Sequence, residues 1–495
     1  MRPFQASHFF DFNLRLLALP GEPAEVEVMD DSQHQPYRGM QERAASIASA
    51  GPFIDHRQAL TPPDAQGSRM AFTILPAFGL LIVGFATVPA LTLMALAAAV
   101  GLAWLPIFIG FVKSGLRRQN SIRTCATDDL PSVTILLPLK DEANMVQQLA
   151  EMLRRIDYPA TLIDCLVLLE ADDRATILAA IQTDWPDFVR IVSMPEGTPR
   201  TKGRACNYGL NRSLGDLVVI FDAEDKPHPQ QLREAANKFA AADARLACLQ
   251  APLHIVPQEK KWMQWQFAFE YRILFDFKLP HLDAALACLP LGGSSNYFRR
   301  AALVKVGAWD AHNLTEDADL ALRFAGYGYR IGTLSRPALE NVPHTGLTWF
   351  SQRTLWHSGH IQIMHAYAAW SLRHGLGDTH GFKWRLAMLA CLAVLAARLL
   401  SGILFLASLV VLIGTFDIGL PPLFTQSCFF IFAVYTFILM RHAPADNWID
   451  NAMLIISHPV YWILTSAALI NAAKRMALGQ LGWLKSGHQP YEPKI

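Results

Sequence analysis

Leu217-Val218-Val219-Ile220-Phe221-Asp222-Ala223-Glu224-Asp225 is an unbroken apolar run that empties into three carboxylates within four positions. A short continuous apolar run rich in β-branched residues reads as a strand buried on both faces of a parallel sheet. Carboxylates crowded at its end repel one another unless a cation or solvent separates them. Mg²⁺ or Mn²⁺ is a hard ion that takes carboxylate and diphosphate oxygens together. Such a metal would neutralise charge on a nucleoside-diphosphate leaving group. Taken alone, the stretch also reads as a solvated strand-to-loop turn with an aspartate capping a helix.

Working outward, similar runs at 133–137, 165–169 and 189–192 end in polar residues, and helical stretches at 144–156 and 229–241 separate them. This alternation predicts a Rossmann-like α/β domain over 127–348, with ligands at the carboxyl ends of its strands. The flanks differ. Of 495 residues 52% are hydrophobic and 17% charged, below the roughly 25% charge usual for soluble domains. Residues 71–112 hold no charge at all, room for two spans of about 20 residues, so 70–113 reads as two transmembrane helices. Lys113, Arg117, Arg118 and Arg123 follow, placing the next segment in the cytoplasm by the positive-inside tendency.

Apolar runs at 386–416, 423–440 and 453–470 make 386–471 a C-terminal transmembrane region, with a tail at 472–495. Arg398 marks a break in the first run, since charge at a bilayer centre is costly. Residues 259–279 and 349–374 mix aromatics with charge. They read as amphipathic helices at the membrane interface, the second spanning 349–380, or as helices packed on the domain core. Residues 1–69 read as a poorly ordered cytoplasmic extension. Net charge is +1, which gives no global field for nucleic acid. Seven dispersed cysteines without CxxC spacing argue against a disulfide framework or zinc site.

Further segments fall in register. Pro138-Leu139-Lys140-Asp141-Glu142 follows the first strand and Glu170-Ala171-Asp172-Asp173 the second. Thr201-Lys202-Gly203-Arg204, Gly292-Gly293-Ser294-Ser295-Asn296, Thr315-Glu316-Asp317 and Gln352-Arg353-Thr354-Leu355-Trp356 come later. In this order and spacing the chain resembles the membrane-bound, cellulose-synthase-like branch of family 2 glycosyltransferases, the processive polysaccharide synthases.

The resemblance implies a GT-A fold joined to an all-α transmembrane region, and inverting transfer from a nucleotide-sugar donor, UDP-linked, to a sugar or lipid acceptor. It assigns Asp317, beside Glu316, as the general base, and Asp222 and Glu224 as the Mg²⁺ or Mn²⁺ site. Glu142, Glu170, Asp172 and Lys202 fall to the donor; Gly293, Ser295, Asn296, Gln352 and Trp356 fall to the acceptor. It also implies contact with the lipid bilayer of a bacterial inner membrane, a cytoplasmic catalytic domain, and a polysaccharide-export or regulatory subunit as partner.

One departure stands out. Where the family's Gln-x-x-Arg-Trp signature has an arginine to clamp diphosphate, this chain has Leu355. Arg353 is then the expected donor-phosphate contact, with Lys202, His357 and His360 as alternatives. A single-transfer enzyme on a lipid-linked acceptor, or a catalytically weakened assembly subunit, stays open beside the polymerase reading. Trp483-Leu484-Lys485-Ser486-Gly487-His488 is similar to a tail element of bacterial relatives, and equally reads as an aromatic anchor at the membrane surface.

Overall fold

The computed structural model describes residues 15–17, 25–27, 105, 107–113, 129–259, 261–286, 289–343, 345–374, 440–441 and 447–479. In chain order the strands are β1 (Arg15–Leu17), β2 (Glu25–Glu27), β3 (Val133–Leu139), β4 (Ile163–Glu170), β5 (Val189–Met194), β6 (Leu217–Ile220), β7 (Lys226–Pro227), β8 (Leu246–Gln250), β9 (Leu253–Val256), β10 (Asn296–Arg299), β11 (Arg330–Thr333) and β12 (Ala338–Asn341). The helices are α1 (Val146–Arg154), α2 (Arg174–Gln182), α3 (Lys202–Leu210), α4 (Gln231–Ala241), α5 (Trp262–Arg272), α6 (Leu279–Leu286), α7 (Arg300–Lys305), α8 (Glu316–Gly326), α9 (Gly346–His374) and α10 (Trp448–Ala477). A π-helical segment, Ile273–Lys278, joins α5 to α6.

Among the described residues the main sheet runs β1-β2-β5-β4-β3-β6-β10-β8-β11. Its centre, β5-β4-β3-β6, is parallel. Side chains along a strand alternate between faces, so a strand covered on both sides must be apolar throughout. Accordingly Ile135, Leu137, Val167, Leu169 and Val219 pack one core with Leu149 and Phe239. Their neighbours Leu136, Leu166, Leu168, Val218 and Ile220 pack the other with Leu210, Phe298 and Phe324. The domain is a mixed α/β, GT-A-like fold.

Within 1–69 the described residues form two short strands: β1 pairs with β2, and β2 meets β5 through Glu27 and Val192. The rest of 1–69, residues 70–104 of the first apolar pair, the runs at 386–416 and 423–439, and residues 480–495 with the Trp483 element lie outside the described residues.

Among the described residues one helix, α10, is long and apolar enough to cross a membrane, at 30 residues and mean hydropathy 1.7. It would span about 45 Å at 1.5 Å per residue, more than a hydrocarbon core of about 30 Å. Ile449, Met453, Ile456 and Ile470 are exposed along it, while Tyr461, Ala468 and Leu469 are buried. The helix α9 is not a free interfacial helix. It starts at Gly346 and buries Trp349, Arg353, His357 and Ile361 against protein. Asn471 of α10 donates to Thr354 Oγ1 at 3.2 Å, and Trp349 Nε1 to the Tyr461 hydroxyl at 3.1 Å. The helix α5 is packed likewise, with Gln264, Gln266, Phe267 and Phe269 buried. Gln266 on α5 and Trp349, Arg353 and Thr354 on α9 find their polar partners in protein, so a mixed composition there mimics an interfacial pattern.

Candidate active site

An antiparallel strand beside the parallel centre builds the site. The strand β10 runs antiparallel to β6 with Asn296 opposite Ile220, and the Ser295 N–H donates to the Ile220 carbonyl at 2.9 Å. This lays the 292–294 loop beside the turn after β6. Asp225 holds that turn: fully buried, it accepts from the Asp222 N–H at 2.8 Å and from the Ser294 hydroxyl. Burial pushes its carboxyl well above the usual range. Of the three carboxylates after β6, Asp225 therefore folds the turn, and Asp222 and Glu224 face a cleft of about 370 Å³.

Asp141, Glu142, Glu170, Asp222, Glu224, Glu316, Asp317 and Glu340 line this cleft, against the cations Lys140, Arg200 and Lys202. Lys202 opens α3, donates to the Gly293 carbonyl at 2.5 Å and pairs with Asp222. Burial alone would depress its ammonium, but Asp222 and Glu316 outweigh that and hold it above the ordinary lysine range. Thr201 caps α3 by accepting from the Arg204 N–H at 3.3 Å, and donates to the Ala311 carbonyl at 2.7 Å. Those two bonds fix Lys202 relative to the loop before α8.

Glu170 ends β4 nearly buried, paired with Arg204 at 3.1 Å. Asp317 and Glu316 sit in the first turn of α8. Burial is the main cause that raises both, Asp317 to about 6 and Glu316 to about 8, the second also pushed by Asp317 itself. A Cβ on Gly293 would meet only Asp317 Oδ2 at 3.8 Å and Lys202 Nζ at 3.9 Å. Gly293 therefore leaves open the space between Asp317 and Lys202. From α9, Gln352, Leu355, Trp356 and His360 face the cleft, the i, i+3, i+4, i+8 stripe of one helical face. A close approach at Gly359 permits this, where any Cβ would lie 2.4 Å from Thr315 Oγ1.

The donor set suits a hard divalent cation. Acidic groups exceed basic ones along the cleft, and Asp222 and Glu224 offer oxygen ligands at its centre. No three His, Cys, Asp or Glu among the described residues converge to cage a metal unaided. An ion here would take its remaining oxygens from substrate and water, as Mg²⁺ sites commonly do.

A family profile described as "Glycosyl transferase family group 2" matches residues 217–440. Over that stretch the chain is similar to family 2 glycosyltransferases. It is 24% identical to a probable glycosyltransferase, YdaM, of Bacillus subtilis, over 49% of this chain and 58% of the relative. It is 25% identical to a beta-monoglucosyldiacylglycerol synthase of Synechocystis over 51% and 52%. With a cellulose synthase catalytic subunit of Komagataeibacter sucrofermentans it shares 26% identity over 48% and 31%. The chain spans about half the length of the first curated relatives it matches. A mannosyltransferase from Pyrobaculum calidifontis, solved with GDP-Man and Mn²⁺, has a similar fold, with TM-score 0.51 and 19% identity over 78% of this chain and 97% of that one.

Of the family 2 motifs picked out in sequence, the structure gathers Glu142, Glu170, Lys202, Asp222, Glu224, Gly293, Glu316, Asp317, Gln352 and Trp356 around one cleft. Four expected residues stand elsewhere. Arg353 is corrected: it is 1% exposed and turned from the cleft, bonding Glu270 through both terminal nitrogens and the Tyr461 hydroxyl at 3.0 Å. Leu355 keeps the expected arginine's place on the cleft face, so a register shift toward Arg353 has not occurred. Asp172 lies outside the lining, paired with Arg200. Ser295 and Asn296 are buried behind the loop, Asn296 donating to the Gly292 carbonyl. Their part is to hold Gly293, and Ser295 takes a left-handed φ of 53° to do so.

Sequence reasoning passed over Arg200, Ser294, Glu340 and Tyr271, all in the lining. Arg200 beside Thr201-Lys202 was findable from its position. Glu340 arrives on β12 and Tyr271 on α5, and no local pattern ties either to the strand ends.

Proposed function

We propose that this chain moves a hexose from a nucleotide diphosphate-sugar, UDP-linked, to an acceptor hydroxyl with inversion, the acceptor being a sugar or a lipid. The observation that carries this is Asp317 beside Gly293 and the Lys202–Asp222 pair, in one cleft at the strand ends. Asp317 takes the acceptor proton while the acceptor oxygen bonds the anomeric carbon. The bond from that carbon to the diphosphate breaks, and its electron pair leaves with the diphosphate. Lys202 and Arg200 face the phosphates, and Glu142 and Glu170 the nucleoside side of the cleft. A Mg²⁺ or Mn²⁺ bound by Asp222 and Glu224 would supply positive charge to the leaving diphosphate. Gln352 and Trp356 take the acceptor, which the indole can stack against.

The apolar α10 and the uncharged stretch at 71–112 support an integral, multi-pass protein of a bacterial inner membrane with its cleft in the cytoplasm. An export or regulatory subunit remains a partner to seek. Membranes carrying the chain are to be incubated with a panel of radiolabelled nucleotide sugars and Mg²⁺ or Mn²⁺. Labelled product from one donor is the expected result, and its size separates polymer from single transfer. Silence across the panel would contradict the proposal and favour an assembly subunit.

A further inference from the structure

Asp317 sits in the first turn of α8, and the segment leading into it, 306–315, is irregular between α7 and α8. A loop holds a reacting group only as firmly as its bonds to the scaffold. From one side α3 grips this one: Thr201 Oγ1 donates to the Ala311 carbonyl and Asn207 Nδ2 to the Trp309 carbonyl, both at 2.7 Å. From the other side α9 does. The Leu314 N–H donates to Oε1 of the buried Gln362 at 3.2 Å. Gly359 brings the α9 backbone against Thr315, where a Cβ would lie 2.4 Å from Oγ1 and 2.6 Å from Cγ2. Gly359 stands four positions beyond Leu355 and three beyond Trp356, and Gln362 three further on, spacings that share a helix face. One helix thus carries both the acceptor-side residues Gln352 and Trp356 and the supports of the loop before Asp317.

From this geometry we infer that Gly359 and Gln362 are positioning residues for the base: through Thr315 and Leu314 they set the distance between Asp317 and an acceptor held along α9. Neither residue lines the cleft, so their influence on the acceptor hydroxyl passes through the loop. Proton removal needs the base within hydrogen-bond reach of that hydroxyl. A misplacement of about 1 Å, made far from the reacting atoms, can cost about 100-fold in rate. Leaving the buried Leu314 N–H without an acceptor, or pushing Thr315 off the helix, is a displacement of that kind. The donor side of the cleft is built by the strand ends and α3. Nucleotide should therefore bind as before when the grip of α9 is lost. The inference rests on reading the cleft as a glycosyl-transfer site, with Asp317 as base.

Two variants of the full-length chain test it. Gln362→Met keeps the bulk and removes the acceptor for the Leu314 N–H; Gly359→Ala forces Thr315 away. Calorimetric titration with UDP or GDP and Mn²⁺ gives the nucleotide affinity and the number of working sites. Transfer from the donor that labels product is then expressed per titrated site, and amide hydrogen exchange is read by mass spectrometry. The rate per site should fall about tenfold in Gln362→Met and about 100-fold in Gly359→Ala, with nucleotide affinity unchanged. Exchange should quicken over 311–317 and stay as it was over β3 and β4. A purely structural role would lower the number of titrated sites and leave the rate per site alone. An unchanged rate per site in both variants, a loss of nucleotide affinity matching the loss of rate, or faster exchange spread into β3 and β4 would overturn the inference. Silence of the wild type toward every donor is a different failure. It removes the transfer reading, whereas the exchange measurement still shows whether α9 pins the loop.

Discussion

Lys202–Asp222 and Arg353–Glu270 are both cation–carboxylate pairs in sheltered positions, one at the strand ends and one where α5, α9 and α10 meet. Their surroundings are opposite. Arg353 is enclosed by Trp356, Phe267 and Trp349, with its carbon Cζ 4.8, 4.9 and 5.6 Å from the ring centres. Glu270 is further satisfied by the Tyr461 hydroxyl at 2.7 Å. Lys202 instead meets more acid than it can neutralise, with Glu316 and Asp317 pushed above the carboxylate range beside it. A saturated pair holds helices together; an unsaturated one has capacity left for a substrate. The arginine nearest the family signature belongs to the first kind.

If that contrast holds, the two pairs should fail differently. The largest effect is expected at the base. Asp317→Asn should lower the rate of transfer by about 10²–10⁴-fold, with donor affinity from equilibrium binding unchanged. A loss of donor affinity at an unaffected rate would make Asp317 a binding residue. Next, Arg353→Ala should act on stability. Removing one partner of a buried pair costs about 3–5 kcal/mol, so the melting temperature should drop while the donor affinity of the folded fraction stays. A folded Arg353→Ala protein with donor binding alone impaired would return Arg353 to the phosphates.

The pH dependence sharpens the contrast further. Asp317 must be ionised to accept a proton, and burial holds it at about 6. The rate should therefore fall as pH drops through about 6, roughly tenfold per unit below it. A flat profile from pH 5 to 8 would remove Asp317 from the chemistry. The smallest effect concerns Glu316, raised to about 8 from an ordinary carboxylate value. Between those values the folded state binds a proton the unfolded chain lacks, so stability falls as pH rises through that window. Glu316→Gln should raise the melting temperature at pH 8.5, by about 2–4 °C for each kcal/mol relieved, and leave it unchanged at pH 4.

Much of the cleft was legible because strand ends announce themselves. Runs such as 217–221 must be apolar at every position when both sheet faces are covered, and the first polar residues after them stand at the ligand edge. What was not legible depended on partners far along the chain. Helical spacing shows that Arg353 and Leu355 face different ways, but not which face meets the cleft. Gln352, Leu355 and Trp356 sharing one stripe was the available signal. Ser295 and Asn296 look like binding residues in the Gly292–Asn296 motif, yet β10 pairing with β6 turns them inward. Asp172 was one of several acids after β4, and only Arg200 from the next loop decides its direction.

The central claim is that the acid-rich cleft, and not the buried arginine joint, binds the nucleotide through a divalent cation. Calorimetric titration of UDP and of GDP, each with and without Mn²⁺, into the wild-type chain, Asp222→Asn and Arg353→Lys tests it most directly. The expected result is Mn²⁺-dependent binding of one nucleotide to the wild type and to Arg353→Lys, lost in Asp222→Asn. Undiminished binding in Asp222→Asn, or its loss in a folded Arg353→Lys, would contradict the account.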